Sequence, residues 1–385
     1  MNPGEYCASI WAASSIKKIQ VGDDSVIALI KSADAKPIVS GHDLWDMWPI
    51  QLATGEAAAI AGGVLWMILS APIAPDPEER HAHARIRLLH LSGSAWSDLG
   101  LLLPEGLSGG SREWSGSSIY DPETSQLTLY YTAAGRYGEE SLTFEQRLFE
   151  MRASLSIVSG SVSIGSWSAP IESVVSDGRY YVIANQTEGA PGTIKAFRDP
   201  AFFRDPSDGR EYLLFTASLA QSADAHNGAI GIASATGDAS HPWQLLAPLI
   251  DADGVNNELE RPHMVVKDGL YYVFWSTQSH VFSDGCRSAP SGFYGMVASS
   301  LFGEYKLLNG GGLVAANPPS EPHQGYSWWV CSDLSVFSFV DYWGLEGRDL
   351  VDHPHLRRKH FGGTPAPVFH LQLNGEATKI VQKSK

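Results

Sequence analysis

Short apolar runs bounded by turn-forming residues recur along the chain and predict β-strands. They are rich in Val, Ile, Leu, Tyr and Phe, which suit a pleated, half-buried surface. Three of the runs open with Asp-Gly, a strong signal for a tight hairpin. The clearest runs span residues 62–71, 125–133, 177–185, 208–218 and 268–276.

Helical periodicity of 3.6 residues is weak throughout the chain. The segment 141–155, SLTFEQRLFEMRASL, has enough of it for a short helix, but we favour a strand there. The pattern as a whole therefore predicts an all-β protein.

A second pattern is a weak internal repeat, in which a polar motif is followed by apolar residues, a turn and another strand run. The motifs are LWDMWPI (44–50), REWSGSSIY (112–120), AFRDPAFF (196–203), LERPHMVV (259–266) and GYSWWV (325–330). Their marker residues are Asp46, Ser115, Asp199, Glu260 and Tyr326. The markers are separated by 69, 84, 61 and 66 residues, and each interval holds about four strands with their loops.

Four-stranded units repeated around an axis form a β-propeller, so five motifs predict five blades. A stack of sandwich domains is the competing interpretation, because the period is irregular and the units share little sequence. The chain contains no Pro-, Gly- or Ser-rich linker that would divide it, which favours the propeller.

Composition and charge narrow the possible functions. The 385 residues include 12 Trp, 14 Tyr and 14 Phe, and aromatic rings suit a β core as well as the apolar face of a sugar. The formal net charge of −15 argues against nucleic acid and anionic membranes as partners, because both bind basic surfaces. A neutral substrate is not repelled by that charge.

Neither the cysteines nor the N-terminal sequence indicates the cellular compartment of the protein. Cys7, Cys286 and Cys331 have no metal-ligand spacing and form no even disulfide framework. The N-terminal residues lack a basic segment followed by an unbroken apolar stretch, so no signal peptide is recognisable. No run reaches the ~18 apolar residues of a membrane span.

The tetrapeptide F-R-D-P occurs twice, with its aspartates at Asp199 and Asp205. Asp199 lies nine residues before Asp208 of an Asp-Gly turn, much as Glu260 lies eight residues before Asp268. The first copy therefore occupies the start of an inner strand, and the second lies where that strand turns back. We expect Asp199 to be functional and Asp205 to stabilise a turn.

In a propeller, the starts of the innermost strands converge on one mouth of the central channel. This places Asp46, Asp199 and Glu260 together, ringed by Trp45, Trp48 and Trp114. Two of the carboxyl groups suffice for a retaining glycosidase, one as nucleophile and one as proton donor, and the third can bind sugar hydroxyls.

At these residues the chain resembles glycoside hydrolase family sixty-eight, the levansucrases. The resemblance rests on LWDMWPIQ, REWSGSSIYD, FRDP, ELERPHMV, FGEYKLLNGGGLV, GYSWWV and FGGTPAP, which follow in family order over about residues 44 to 367. It implies a five-bladed β-propeller with a central funnel-shaped active site. Residues 1–385 would form one catalytic domain, with about 35 N-terminal residues as a wrapping segment.

The resemblance implies an enzyme that cleaves sucrose and passes the fructosyl group to sucrose, fructan or water. Asp46 corresponds to the nucleophile, Asp199 to the carboxylate that binds fructose hydroxyls, and Glu260 to the general acid/base. Further residues match positions that contact substrate: Trp45, Trp114, Ser115 and Arg198 on the fructosyl side, and Glu258, Arg261 and Tyr326 near the glucosyl side.

Gln278 departs from the family pattern, because many members carry Arg or His at about this position, facing the acceptor. Glutamine keeps hydrogen bonding but loses the charge, so hydrolysis or short products stay open beside polymer formation. The acidic calcium ligands of some secreted members have no counterpart here, and we expect no metal or other cofactor. The expected partners are sucrose and fructo-oligosaccharides, and the oligomeric state stays open.

The resemblance also implies an extracellular or periplasmic enzyme, although a cytoplasmic location stays open. Two other functions are alternatives. One is a hydrolase that barely transfers, either a β-fructofuranosidase acting on sucrose or fructo-oligosaccharides or a related propeller enzyme acting on fructans or arabinosides. The other is a sugar-binding propeller without activity. The presence of all three carboxylates argues against the latter. Single residues have plainer interpretations: Trp45 and Trp114 as core, Ser115 in a turn, Glu258 as a solvated charge, Tyr326 as sheet packing and His263 as a structural hydrogen-bonding group.

Overall fold

The computed structural model describes residues 6–187, 192–238 and 242–381, and strands dominate its regular structure. None of the helices in these ranges is long and apolar enough to cross a lipid bilayer. The all-β class expected from the sequence is confirmed. The helices are α1 Ala13–Ile16, α2 Arg357–His360 and the 3₁₀ segments Pro77–His83, Ser279–Val281, Asp284–Cys286, Leu308–Gly310 and Pro354–Leu356.

The strands have the following bounds. Those of the first half are β1 Ser9–Ile10, β2 His42–Gln51, β3 Ala59–Ile60, β4 Gly63–Pro72, β5 Arg85–Ser92, β6 Ala95–Leu101, β7 Arg112–Asp121, β8 Gln126–Ala134, β9 Gln146–Val158, β10 Ser161–Ile164 and β11 Ile171–Val174. Those of the second half are β12 Phe197–Arg204, β13 Glu211–Ser218, β14 Gly228–Ala235, β15 Trp243–Leu245, β16 Ile250–Asp251, β17 Glu260–Lys267, β18 Leu270–Thr277, β19 Gly292–Ala298, β20 Lys306–Leu307, β21 Leu313–Ala316, β22 Gly325–Val330, β23 Ser335–Tyr342, β24 Phe361–Pro365, β25 Phe369–Asn374 and β26 Ala377–Val381.

Antiparallel pairing joins most of the described strands into successive ladders, and each ladder begins with one of the polar motifs. The turn between β17 and β18 is a tight hairpin at Asp268 and Gly269, whose φ angles of 53° and 76° suit a two-residue turn. The ladders have the orders β2-β4-β5-β6, β7-β8-β9-β10, β12-β13-β14-β16, β17-β18-β19-β20 and β22-β23-β25-β26.

The first strands of these ladders contact one another in chain order. β2 pairs with β7 in parallel, with Ile50 opposite Ser118 and Gln51 opposite Ile119. β7 contacts β12, β12 contacts β17, β17 contacts β22, and β22 contacts β2 again, so the circuit returns to its start. The polar motifs, far apart in sequence, therefore meet in one central region.

Apolar side chains between the ladders form the core. Trp48, Trp66 and Trp275 are almost completely buried. The rings of Trp66 and Phe337 lie 4.1 Å apart and pack the first ladder against the last. Burial of one such large apolar side chain contributes roughly 1.5–3 kcal/mol or more, so much of the high aromatic content serves the core.

The N-terminal segment lies along the later ladders. β1 pairs in parallel with β16, with Ser9 opposite Ile250. Trp11 is fully buried, and its ring lies 5.2 Å from that of Trp275. Further along, the backbone N–H of Ile30 donates to Oε1 of Gln324 at 2.9 Å.

Two strand predictions have different outcomes. The strand preferred over a helix at 141–155 is confirmed, since β9 begins within that segment. The strand predicted at 177–185 is wrong, because only Tyr181 pairs there, in an isolated bridge with Leu219. The Tyr181 side chain is fully buried and its hydroxyl donates to the Leu246 carbonyl oxygen at 2.8 Å. The buried Tyr181 side chain therefore anchors this loop on the third ladder.

Candidate active site

A β-bulge interrupts each of the five first strands at its polar motif. The pairing shifts between Trp45 and Met47, Trp114 and Gly116, Arg198 and Ala201, Glu260 and His263, and Tyr326 and Trp329. The bulged residues Asp46, Asp199, Arg261 and Ser327 have φ angles of 44°, 62°, 51° and 62°. A left-handed non-glycine residue is strained by about 1–3 kcal/mol, and such strain concentrates at functional sites.

The bulges bring Asp46, Asp199 and Glu260 into one cluster. The Ser115 hydroxyl donates to Oδ2 of Asp46 at 2.7 Å. Oδ2 of Asp199 accepts from the Thr216 hydroxyl at 3.0 Å. Burial raises the pKa of Asp199 to about 6, and the charges of Glu260 and Asp46 add to this rise. Asp199 thus lies within electrostatic reach of both Asp46 and Glu260.

Arg198 is the cation at the centre of this cluster. Its side chain is buried, and Nη2 lies 3.0 Å from Glu260 and 3.1 Å from Glu258. Nε lies 3.7 Å from Asp199. One guanidinium therefore links carboxylates of the third and fourth ladders, which offsets the cost of burying charge.

Glu258 and Tyr326 flank Glu260. Glu258 is 9% exposed, so the interpretation as a solvated charge is wrong. Burial and the nearby charge of Glu260 raise the pKa of Glu258 to about 7, against the opposing effect of Arg198. The Tyr326 hydroxyl donates to Oε2 of Glu260. Tyr326 therefore has a polar partner in the cluster as well as packing in the sheet.

Arg261 makes hydrogen bonds to neighbouring strands, and its expected position near the glucosyl side stays a prediction. Its Nη2 donates to the Met47 carbonyl oxygen at 2.6 Å, and Nη1 donates to the Ser327 hydroxyl at 2.5 Å. Its backbone N–H also donates to Asp199 at 3.2 Å. The guanidinium is engaged in connecting β2, β17 and β22, so Arg261 braces the site.

Trp45 lies in β2 and Trp114 in β7, next in sequence to Asp46 and Ser115, and their expected place in the fructosyl pocket stays a prediction. Trp45 is 2% exposed, and its ring meets that of His81 edge-on at 5.9 Å. Trp114 is partly buried, and its Nε1 has no hydrogen-bond partner among the described residues. Ser115 lies in the bulge of β7, so its interpretation as a turn residue is wrong.

Gln278 follows β18 directly and is partly buried. It precedes the short 3₁₀ segment that contains His280, which lies within electrostatic reach of Glu260. The acceptor-facing position expected for Gln278 stays a prediction.

The second F-R-D-P copy lies outside the cluster. Asp205 is buried at the end of the third ladder's first strand, where Oδ1 accepts from the Tyr271 hydroxyl at 2.6 Å. Oδ1 also accepts from the backbone N–H of Ser207 at 2.8 Å, as in a turn. These contacts agree with the structural role expected for Asp205.

His263 has structural contacts as well. Its ring stacks on Trp329 at 4.4 Å, and its two nitrogens bond with the Arg261 carbonyl oxygen and the Val330 N–H. Burial lowers its pKa to about 3. This neutral histidine supports the bulge that carries Arg261.

Three charged or titratable residues near Asp46 and Trp45 belong to none of the sequence motifs: Arg80, His81 and Asp341. His81 and Asp341 lie within electrostatic reach of Asp46, and Arg80 packs on Trp45 with its guanidinium carbon 5.7 Å from the ring. In the ranges that the structure describes, no group of three or more His, Cys, Asp or Glu side chains has a metal-binding arrangement.

The chain is similar to known proteins over nearly its whole length. A family model described as Levansucrase/Invertase matches residues 1–227 and 220–385. A levansucrase of Zymomonas mobilis subsp. mobilis is 30% identical over 97% of this chain and 90% of its own length. A levansucrase of Pseudomonas savastanoi pv. glycinea is 29% identical over 98% of this chain and 92% of its own. The solved structure of an inulosucrase from Halalkalicoccus jeotgali bound to kestose has a TM-score of 0.89 and 37% identity, covering 97% of this chain and 95% of that one.

Proposed function

The chain belongs to the levansucrase/invertase family, and on that premise we propose that it is a retaining fructosyltransferase. It cleaves sucrose and passes the fructosyl group to sucrose, fructan or water. The observation that carries this proposal is the cluster of Asp46, Asp199 and Glu260 around the buried Arg198.

In the first step, a carboxylate oxygen of Asp46 attacks the anomeric carbon of the fructosyl group. The bond between that carbon and the glucosyl oxygen breaks as Glu260 protonates this oxygen, and free glucose leaves. Asp199 accepts hydrogen bonds from fructose hydroxyls and stabilises the positive charge that develops on the ring. The hydrogen bond from Ser115 keeps Asp46 oriented.

In the second step, Glu260 is a carboxylate and takes the proton of an acceptor hydroxyl or water. The acceptor oxygen attacks the anomeric carbon, and the ester to Asp46 breaks. Hydrogen bonds from Arg198 and Tyr326 hold Glu260 in place through this change of role. Two inversions at one carbon give overall retention.

The fold that supports this chemistry is a five-bladed β-propeller, with the five ladders as blades and the polar motifs at the mouth of a central funnel. The circuit of contacts from β2 through β7, β12 and β17 to β22 and back supports this arrangement. We propose that residues 1–385 form a single catalytic domain around which the N-terminal segment wraps, supported by the burial of Trp11.

The substrate class is sucrose and fructo-oligosaccharides. The relatives include two levansucrases and an inulosucrase bound to kestose, so they support a fructosyl donor and acceptor but leave the product linkage open. Mainly hydrolytic activity is the second candidate, and it is favoured by the uncharged Gln278 after β18.

Incubation with concentrated sucrose, followed by quantification of glucose, fructose and oligosaccharides, tests the proposal. We expect glucose release to exceed fructose release, with the missing fructose in longer sugars. Equal release indicates hydrolysis, and no release with measurable sucrose binding indicates a binding protein.

The Asp46→Asn variant tests the assignment of the nucleophile. We expect sucrose turnover to fall by about 10⁴-fold or more, as for other nucleophile deletions. The matched control is Asp268→Asn, at an exposed hairpin residue with a left-handed φ of 53°. Full turnover by Asp46→Asn would overturn the assignment.

A further inference from the structure

Gln146 is the first residue of β9, and its side chain reaches from the second ladder to the third. It is 4% exposed and belongs to none of the sequence motifs. Its side-chain nitrogen donates to the Lys195 carbonyl oxygen at 2.8 Å and to that of Phe144 at 3.3 Å. Its side-chain oxygen accepts from the backbone N–H of Phe197 at 3.0 Å and from Nη1 of Arg198 at 3.5 Å.

These four bonds use the whole hydrogen-bonding capacity of the Gln146 carboxamide, which has two N–H donors and an oxygen with two lone pairs. The orientation of the amide is therefore fixed, because its nitrogen faces two carbonyl oxygens and its oxygen faces two N–H donors. Two of the bonds reach the main chain on either side of Ala196, as a peptide group of a neighbouring strand would. Gln146 thus holds the chain just before the bulge at Asp199.

Arg198 connects Gln146 to the acidic cluster. Nε of Arg198 lies 3.7 Å from Asp199, and Nη2 lies 3.0 Å from Glu260. Nη1 points the other way and donates to Gln146. Because the guanidinium is planar and rigid, a bond at Nη1 limits the direction in which Nη2 can point. The acceptor at Nη1 is neutral, so it fixes the plane without adding a negative charge to the cluster.

We propose that Gln146 is a positioning residue for the reaction, because it orients the Arg198 guanidinium toward the proton donor Glu260. It acts through Arg198 and not on the sugar. The inference rests on the proposed function and deepens it, since it concerns the residue that holds the acid/base of that reaction.

The Gln146→Met variant tests the proposal, since methionine has a similar length but lacks the carboxamide. We expect kcat/KM for sucrose, measured as glucose release, to fall about tenfold. The variant also loses bonds to the main chain, so it needs a control that weakens the same segment. Ser218→Ala is that control. The Ser218 hydroxyl accepts from the Ala196 N–H at 3.0 Å, and no hydrogen bond joins it to Arg198 within the described residues.

Both variants should unfold at a lower urea concentration than the unaltered protein, because each removes a buried hydrogen bond to the same segment. Ser218→Ala should keep kcat/KM within about threefold of the unaltered protein. If both variants lost activity by the same factor, a general weakening of the segment would explain the result, and the inference would be overturned.

A double-variant cycle with Arg198→Lys tests whether Gln146 acts through the guanidinium. Lysine keeps the positive charge but has a single nitrogen, so it offers no counterpart of Nη1. We expect the loss caused by Gln146→Met to be at least about threefold smaller in the Arg198→Lys background than in the parent. Equal losses in the two backgrounds would show that Gln146 holds only the main chain, contrary to the proposal.

Gln146→Glu keeps the test decisive if Gln146→Met does not fold, because it has the same size and keeps an accepting oxygen. The new carboxylate would lie beside Arg198, whose other charged neighbours in the described chain are Asp199, Glu258 and Glu260. A negative charge there disfavours ionisation of Glu260, so the fall of kcat/KM at high pH should move upward by about half a pH unit or more. An unmoved profile in the folded variant would refute the inference.

Failure of the proposed function is distinguishable, because it would appear as an absence of glucose release by the unaltered protein. In a protein that releases glucose, the outcomes above decide the role of Gln146 alone.

Discussion

The Ser115 hydroxyl donates a hydrogen bond to Oδ2 of Asp46 across 2.7 Å, and it connects the second ladder to the first at the residue proposed as nucleophile. Both residues lie in β-bulges, so the contact depends on two interruptions of regular pairing. The Thr132 hydroxyl donates to the Ser115 carbonyl oxygen at 3.1 Å and fixes the bulge from behind.

The Ser115→Ala variant should therefore lose activity without losing its fold. We expect kcat/KM for sucrose to fall about 10- to 100-fold, because a hydrogen bond to a charged group is worth about 1.5–3 kcal/mol. Ser97→Ala, at an exposed position of β6, is the matched control. Activity of Ser115→Ala within twofold of the control would contradict this role.

Substitutions in the two F-R-D-P copies should differ in effect: those at Asp205 should lower stability, and those at Asp199 should lower activity. Asp205→Ala removes the acceptor of the Tyr271 hydroxyl and should lower the free energy of unfolding by about 1–3 kcal/mol, with kcat/KM nearly unchanged. Tyr271→Phe removes the other partner and should act in the same direction. If folded Asp205→Ala lost as much activity as Asp199→Ala, the choice of the first copy would be wrong.

Asp341 predicts a dependence of stability on pH. Burial, with the charges of Glu78 and Asp46, raises its pKa from 3.8 to about 7 against the attraction of Arg80. A carboxyl with a raised pKa stabilises the folded state fully below about pH 4, and this contribution is lost as the pH rises through about 7.

The Asp341→Asn variant isolates this contribution, since asparagine does not ionise. Relative to the variant, the unaltered protein should lose free energy of unfolding between about pH 4 and 8, by an amount on the order of 1 kcal/mol or more. Urea unfolding at pH 5, 6, 7 and 8 measures it. Parallel curves for the two proteins would show that Asp341 does not titrate in this range.

The N-terminal segment should contribute to the stability of the whole domain. Trp11 is fully buried against Trp275, Phe282 and Tyr294, so Trp11→Ala should lower the free energy of unfolding by about 3–5 kcal/mol. The neighbouring Ile10 is 69% exposed, and Ile10→Ala is the control. A loss below about 1 kcal/mol for Trp11→Ala would indicate that the segment is peripheral.

The sequence predicted the inner strands well because their motifs combine polar residues with apolar runs. The grouping of Asp46, Asp199 and Glu260 was predicted in this way, and the spacing to Asp-Gly turns separated Asp199 from Asp205. The strand at 177–185 failed because composition does not distinguish a paired strand from a loop anchored by Tyr181.

Arg80 and Asp341 were beyond the reach of the sequence for a different reason. Arg80 lies in a 3₁₀ segment and Asp341 in a strand that starts no ladder, so neither occupies a repeated position. Their proximity depends on how the first ladder packs against the last. The bonds of Arg261 to Met47 and Ser327 could not be foreseen either, since they join three different ladders.

The left-handed φ angles at Asp46, Asp199, Arg261 and Ser327 have a consequence for evolution and engineering. Glycine, asparagine and aspartate adopt this conformation most readily, whereas β-branched residues resist it. In a library that places all amino acids at these positions, many variants should therefore fail to fold, whatever their effect on sugar binding. The backbone conformation at these four positions therefore limits which side chains the site can carry.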